Sequence, residues 1–270
     1  MQRPGRWICV LLLAFWAGGC RRAGQVYRPV SPPARIYAVW VTRWDYSSPA
    51  DVRRIIRECH ALGLNQLLWQ VRGQADALYR SGYEPWAEEL GGQDPGFDPL
   101  RLACEQAHRL GMQLHAWVNV MPLWKGRRPP RNRNHPYYRH PEWRLVDRQG
   151  RLQPLSDHYI IVNPCLPEVR QYLVQVMADI IRRYPVDGLH LDYIRFVGQA
   201  GRTLDYPYDR RTLSLYRQAT GLAPDDDPER WAAWRRDQVT EIVRMLRSMC
   251  ASRPQPRPGR ALFPQEFRRL

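Results

Sequence analysis

The feature that most constrains this chain is a repeated unit: a short apolar run, an amphipathic stretch that stops at a glycine or at Tyr-Pro, then another apolar run. Ile36 to Thr42 (IYAVWVT) is brief and rich in Val, Tyr and Trp, the pattern of a strand buried on both faces. Pro49 to Leu62 then carries helical spacing and stops at Gly63, a residue suited to the left-handed position after a helix end. Leu64 to Val71 is the next strand. Pro99 to Leu110 repeats the helix and closes on Gly111, and Met112 to Val120 repeats the strand. Pro167 to Arg183 places Val169, Leu173, Val176, Met177 and Ile180 on one stripe, and the strand after it lies within Val186 to Phe196 (VDGLHLDYIRF). Serial strand, helix, strand order with right-handed crossovers implies an α/β chain with a parallel sheet or barrel.

Strand starts expected near residues 36, 65, 113 and 187 lie 29, 48 and 74 residues apart, so long excursions follow the second and third strands. In parallel barrels, excursions at strand C-termini build the active site. The third excursion is rich in Arg, Pro and His over Lys125 to Arg144, and Gln149-Gly150 suits the turn of a small hairpin. After the fourth strand, Asp205-Tyr206-Pro207-Tyr208-Asp209 leads to a short helix near Arg211 to Thr220. A longer helix over Glu229 to Cys250 has Trp231, Trp234, Val239, Ile242, Val243 and Leu246 as its inner face. Ala261 to Phe263 is at most a stub of a fifth strand.

Strand parity sorts the polar residues, because alternate side chains share a face. In the fourth strand Gly188, His190 and Asp192 fall on one side and Leu189, Leu191 and Tyr193 on the other. Leucines pack under helices, so His190 and Asp192 face the lumen, with Asp192 at the C-terminal end. Asp187, after Tyr184-Pro185, reads as a turn residue at the opposite end. The same rule groups Gln70 with Arg72 on the second strand, His115, Trp117 and Asn119 on the third, and Trp40 with Thr42 on the first. Aromatic platforms, amide and guanidinium donors and one carboxylate are the groups that bind sugars. Arg72 is the expected counter-ion that keeps Asp192 ionised. Glycosidases generally use two carboxyl groups; Glu88, Glu89, Asp205 and Asp209 are candidate partners, with solvation or capping as their competing roles.

Charge narrows the partner. There are 41 Lys plus Arg against 26 Asp plus Glu, a net charge of +15, with Lys125 the only lysine. This favours anionic polymers or phosphorylated lipid surfaces, yet no helix-turn-helix, zinc-finger or RNP-type signature points to nucleic acid. His135 and His140 lack a carboxylate at ligand spacing, so no metal is expected, and the absence of P-loop, GxGxxG and GxSxG motifs implies no cofactor. Residues 1–20 read as a lipoprotein signal peptide: Arg3 and Arg6, an apolar run from Trp7 to Trp16, then Ala17-Gly18-Gly19 before Cys20, the lipidation position. Residues 21–34 form a tether. Cys59 and Cys104 fall on neighbouring helices, either as a disulfide or as buried thiols.

The run of motifs IYAVWVTR, GLNQLLWQVRG, YEPW, DPGFDPLRLACEQAHRLGMQLHAWVNV, HPEWRLVDRQG, VNPCLPEVRQYL and YPVDGLHLDYIRF resembles the glycosyl hydrolase-like family 10 proteins over about residues 35 to 264. The resemblance implies a (β/α)8 TIM-barrel domain, here residues 35–270 with about the first four to five strands, and a C-terminally truncated barrel. It also implies an exported, lipid-anchored protein of the bacterial cell envelope that hydrolyses peptidoglycan glycan strands or a related polysaccharide. Carried over residue by residue, the family's acidic strand-end position falls on Asp192, and Gln70, Arg72, Trp117 and Asn119 fall on its other strand-end positions. The alternative is a non-catalytic glycan-binding lipoprotein; a basic loop that docks on anionic lipid is a third reading.

Overall fold

The computed structural model describes residues 30–196 and 205–251. The expected signal peptide, Cys20, most of the tether and the stub at Ala261 to Phe263 lie outside these residues. Along the chain the strands are β1 (Ala38–Val41), β2 (Gln66–Arg72), β3 (Gln113–Asn119), β4 (Pro122–Lys125), β5 (Tyr159–Ile161) and β6 (Gly188–Asp192). The helices are α1 (Pro49–Ala61), α2 (Pro99–Arg109), α3 (Pro136–Arg139), α4 (Pro167–Arg183), α5 (Arg210–Thr220) and α6 (Pro228–Ala251).

Four strands pair in parallel in the order β1-β2-β3-β6, so the main sheet runs in chain order without reversal. That order is how a barrel grows; a doubly wound sheet reverses at its switch point. Helix starts are fixed locally. Ser48 and Asp51 form a reciprocal capping box on α1, and the Asp98 and Asp209 side chains cap α2 and α5. Gly63 and Gly111 lie at φ +77° and +71° just past α1 and α2, where a side chain would strain the backbone.

The helix stripes do the burying. Val52 and Ile56 of α1, Leu100, Ala103 and Ala107 of α2, and Leu173, Met177 and Ile180 of α4 join Leu67, Trp69, Leu114, Ala116 and Val118 in one core. Each such aliphatic side chain contributes on the order of 1.5–3 kcal/mol when removed from water. α6 lies beside α4 and buries Trp231, Ile242 and Leu246, while Tyr216 of α5 meets Trp231 edge-on at 4.8 Å. Cys59 and Cys104 are free thiols, Cys104 fully buried, so no disulfide joins α1 to α2.

The excursion after β3 is built, not floppy. β4 pairs antiparallel with β5, and Val146 bridges Leu152 around the Gln149-Gly150 turn, the hairpin expected there. His135 is locked beneath it: Nε2 lies 3.0 Å from the Gln74 carbonyl and Nδ1 accepts from Tyr137 N at 3.0 Å. Burial drives its pKa down to about 4, against the pull of the Gln74 carbonyl, so His135 is neutral with its proton on Nε2. Among the described residues no helix is long and apolar enough to cross a membrane.

Candidate active site

Lateral partners in a parallel sheet share a face. The register pairs Trp40 with Leu68, Gln70 with Trp117, Trp117 with His190 and Asn119 with Asp192, which puts these side chains on the concave face. Curvature is visible in one contact: Trp40 Nε1 donates to His190 Nε2 at 3.1 Å. On a flat sheet their strands would stand roughly 14 Å apart, three spacings of about 4.8 Å, so the arc must bend strongly to bring the rings together. Trp117 meets His190 edge-on at 6.3 Å, completing an aromatic floor.

Asp192 ends β6 above that floor, its side chain 31% exposed. Trp117 Nε1 donates to Oδ2 at 3.3 Å and the Tyr193 backbone N–H donates to Oδ1 at 2.6 Å, so both oxygens are oriented. Among the described residues Arg195 pairs with it, 3.9 Å from Oδ1. Tyr193 sits at φ +48°, an uncommon left-handed conformation for a residue with a side chain, and packs edge-on against Tyr159 of β5 at 4.8 Å. Strain of roughly 1–3 kcal/mol held next to a carboxylate is typical of functional sites. Partial burial lowers the pKa of His190, partly opposed by the Asp192 charge; the neutral ring is the form that accepts the Trp40 hydrogen bond.

The expected pairing of Arg72 with Asp192 is wrong. The register slips between Gln70 and Arg72, leaving Val71 unpaired and setting Arg72 opposite Val118, on the face away from Gln70. There Arg72, fully buried, forks onto Glu84 with Nε–Oε2 at 2.9 Å and Nη2–Oε1 at 2.7 Å. Its Nη1 donates to the Asn119 and Val120 carbonyls, and Tyr172 of α4 adds a 2.8 Å bond to Glu84. Burial would lower the Arg72 pKa, but the Glu84 carboxylate outweighs it and raises it. Gln70 is also an anchor: its Oε1 accepts from Arg43 N at 3.0 Å.

A group that strand parity misses gathers at the ends of β1 and β2. Arg43 Nε lies 2.7 Å from Glu89 Oε1, with Glu89 only 14% exposed, so Glu89 is not a solvated surface residue. Arg43 packs over Gly73 so closely that a Cβ there would meet Nη1 at 1.6 Å. Asp76, also buried, accepts from Gln74 N at 3.1 Å. Burial raises the pKa of Asp76 against the pull of Arg43; burial and then the Asp76 charge raise that of Glu89. Arg43 Nη1, Asp76 Oδ2, Glu89 Oε2 and Asn119 Oδ1 are buried without a hydrogen-bond partner. Asn119 joins this group to Asp192, its strand neighbour, and donates to the Gly73 carbonyl at 3.1 Å. The signal in the sequence is position: Arg43 lies two residues past β1, and Asp76 and Glu89 lie in the excursion after β2.

The other acids have structural roles. Asp187 clasps the base of β6 to β3 and α2, accepting from Leu114 N at 2.8 Å with His108 Nε2 at 2.8 Å. Asp205 is held by Arg148, Arg235 and Tyr208, Asp209 caps α5 and binds Asn163, and Glu88 accepts from Arg131 N.

The chain is 28% identical over 217 residues to the glycosyl hydrolase YngK of Bacillus subtilis, covering 78% of this chain and 39% of that protein. It is 28% identical over 187 residues to the glycosyl hydrolase DigH of Escherichia coli K12, covering 67% of this chain and 40% of that protein. It thus spans about two fifths of the length of these curated relatives. Among solved structures, α-L-fucosidase isoenzyme 2 from Paenibacillus thiaminolyticus superposes with TM-score 0.60 at 19% identity, over 85% of this chain and 32% of that one. The α-galactosidase AgaA from Geobacillus stearothermophilus does so with TM-score 0.50 at 16% identity, over 79% of this chain and 26% of that one. At such identities the likeness speaks for fold, and the four-strand arc is part of a TIM barrel. The family model for glycosyl hydrolase-like 10 matches residues 35–256, and the chain belongs to that family.

Proposed function

We propose that this chain carries one catalytic carboxylate of a glycoside hydrolase, Asp192, and acts on peptidoglycan glycan strands or a related envelope polysaccharide. The observation that carries the reading is the setting of Asp192: a carboxylate at the C-terminal end of a parallel strand, both oxygens oriented, above a floor of Trp40, Trp117 and His190. In a retaining reaction one Asp192 oxygen bonds to the anomeric carbon as the glycosidic oxygen leaves with a proton from a second carboxylic acid, and water then releases the sugar. In an inverting reaction Asp192 instead serves as the acid or the base. Trp117 and Tyr193 N–H groups fix the carboxylate direction in either case, and the indole faces offer a platform for pyranose C–H groups. The proposed setting is the bacterial envelope, with a lipid on Cys20 as the membrane tether. The arginine excess suits peptide-free glycan strands, whose lactyl groups carry carboxylates.

Asp192→Asn preserves size while removing the charge and one of the two accepted hydrogen bonds, since the amide has a single acceptor oxygen. Turnover of peptide-free glycan strands is expected to fall at least ~10³-fold, in line with loss of a group acting in the transition state, with a cooperative thermal melt retained. Turnover equal to the parent would sink the assignment.

A further inference from the structure

A cavity of about 390 Å³ lies between the N-terminal half of α4 and the turns around Gly82 and His140, on the side where Tyr172 meets Glu84. This is at the lower end of the ~300–1,000 Å³ range of small-ligand sites. Its wall is aromatic and rigid. His140 stacks on buried Trp143 with centroids 3.7 Å apart and planes 5° from parallel, and Trp143 meets Tyr172 at 4.8 Å. Tyr172 is pinned by its hydroxyl to Glu84, and Tyr83 stands edge-on to it at 6.5 Å.

The rim is polar and uncommitted. Gln171 and Gln175, one turn apart on α4, are exposed, as is Arg139. Among the described residues their side chains make no hydrogen bond, whereas the one carboxylate of the lining, Glu168, is engaged by Arg211. A cationic peptide side chain would therefore find its partner taken, while hydroxyl and acetamido groups would find two amides and a guanidinium.

We propose that this cavity is a second carbohydrate-binding site, which takes one or two rings of a polysaccharide at a place separate from Asp192. Sugar C–H faces lie against the His140, Tyr172 and Tyr83 rings, and ring hydroxyls bond to Gln171, Gln175 and Arg139. It rests on the reading of the protein as a glycan-active one and adds to it a holding site on the helix side of the barrel. Such a site keeps a long chain on the protein between cleavage events through effective concentration.

The test is co-sedimentation of the 270-residue chain with insoluble peptide-free glycan strands, with tetra-N-acetylchitotetraose titrated calorimetrically, for the parent, Asp192→Asn and the triple variant Tyr83→Ala, Gln171→Ala, Gln175→Ala. These three side chains are not in the core, and a thermal melt checks that the variant is folded. Expected is a fall of about tenfold or more in affinity for the triple variant, with Asp192→Asn retaining the helix-side binding. Parental affinity in the triple variant overturns the proposal, as does equal competition by a short peptide of matched charge. Hydrolysis is read separately: loss of turnover in Asp192→Asn with unaltered binding in the triple variant sinks this site alone, and helix-side binding without any turnover sinks the catalytic reading alone.

Discussion

Two buried arginines stand at the C-terminal edge of adjacent strands, Arg72 as the last residue of β2 and Arg43 two residues past β1, and they are finished differently. Arg72 forks onto Glu84, donates to two carbonyls and has a tyrosine closing the far side of its carboxylate. Arg43, 2% exposed, touches Glu89 through Nε but leaves Nη1 without a partner, and Asp76, Glu89 and Asn119 each keep an orphaned oxygen around it. Both are guanidinium groups taken out of water next to carboxylates. The first is a completed structural joint between β2, β3 and α4, while the second is an unfinished network at the strand ends. Native proteins rarely leave buried polar atoms unpaired, and where they do, strain reservoirs and catalytic roles are the usual reasons.

The largest test of that contrast is Arg72→Met. It leaves the Glu84 carboxylate buried without its cation, and loss of one partner of a buried pair costs about 3–5 kcal/mol. Chemical denaturation should show a loss of that size; a change under 1 kcal/mol would remove the distinction.

His135 sharpens the contrast next, because it is a satisfied group attached to the unfinished network through the Gln74 carbonyl. Its folded pKa of about 4 lies below its ordinary 6.5, so the unfolded chain binds the proton first. Stability from this group is complete above about pH 6.5 and is lost as pH falls toward 4, by roughly 3 kcal/mol in all at about 1.4 kcal/mol per unit. Thermal midpoints across pH 7 to 4 should drop, and His135→Gln should flatten that slope while lowering the midpoint at pH 7. An equally steep slope in the variant would assign the acid sensitivity elsewhere.

The smallest effect is expected from Arg43→Met. Asp76 and Glu89 already have raised pKa values, chiefly from burial, so without Arg43 they take up protons instead of remaining as bare charges. The expected cost near pH 6 is about 1–2 kcal/mol. It should grow as pH rises, since a carboxyl whose folded pKa is raised loses stability toward higher pH. A loss matching that of Arg72→Met would make the two arginines equivalent.

How much of this was legible in the chain depends on the distance over which each feature is decided. Strands, helix stripes and glycine stops are local, and β3 and β6 obey parity, so Trp117, Asn119, His190 and Asp192 fall on the face expected of them. Arg72 does not, because a single unpaired residue at Val71 reverses every face after it, and nothing in QVRG announces a bulge. Glu89 reads as a surface residue until the excursion folds back on Arg43, a contact 46 positions away in sequence. Residues whose role depends on such long-range closure are those that pattern alone leaves unassigned.

The hydrogen bond from Trp40 to His190 has a consequence for the path of a substrate. With ring centroids 6.0 Å apart on one side and 6.3 Å from His190 to Trp117 on the other, the three rings pave one continuous aromatic floor below Asp192. On the reading proposed above, a pyranose would rest its C–H face on this floor with the Asp192 carboxylate directly over it.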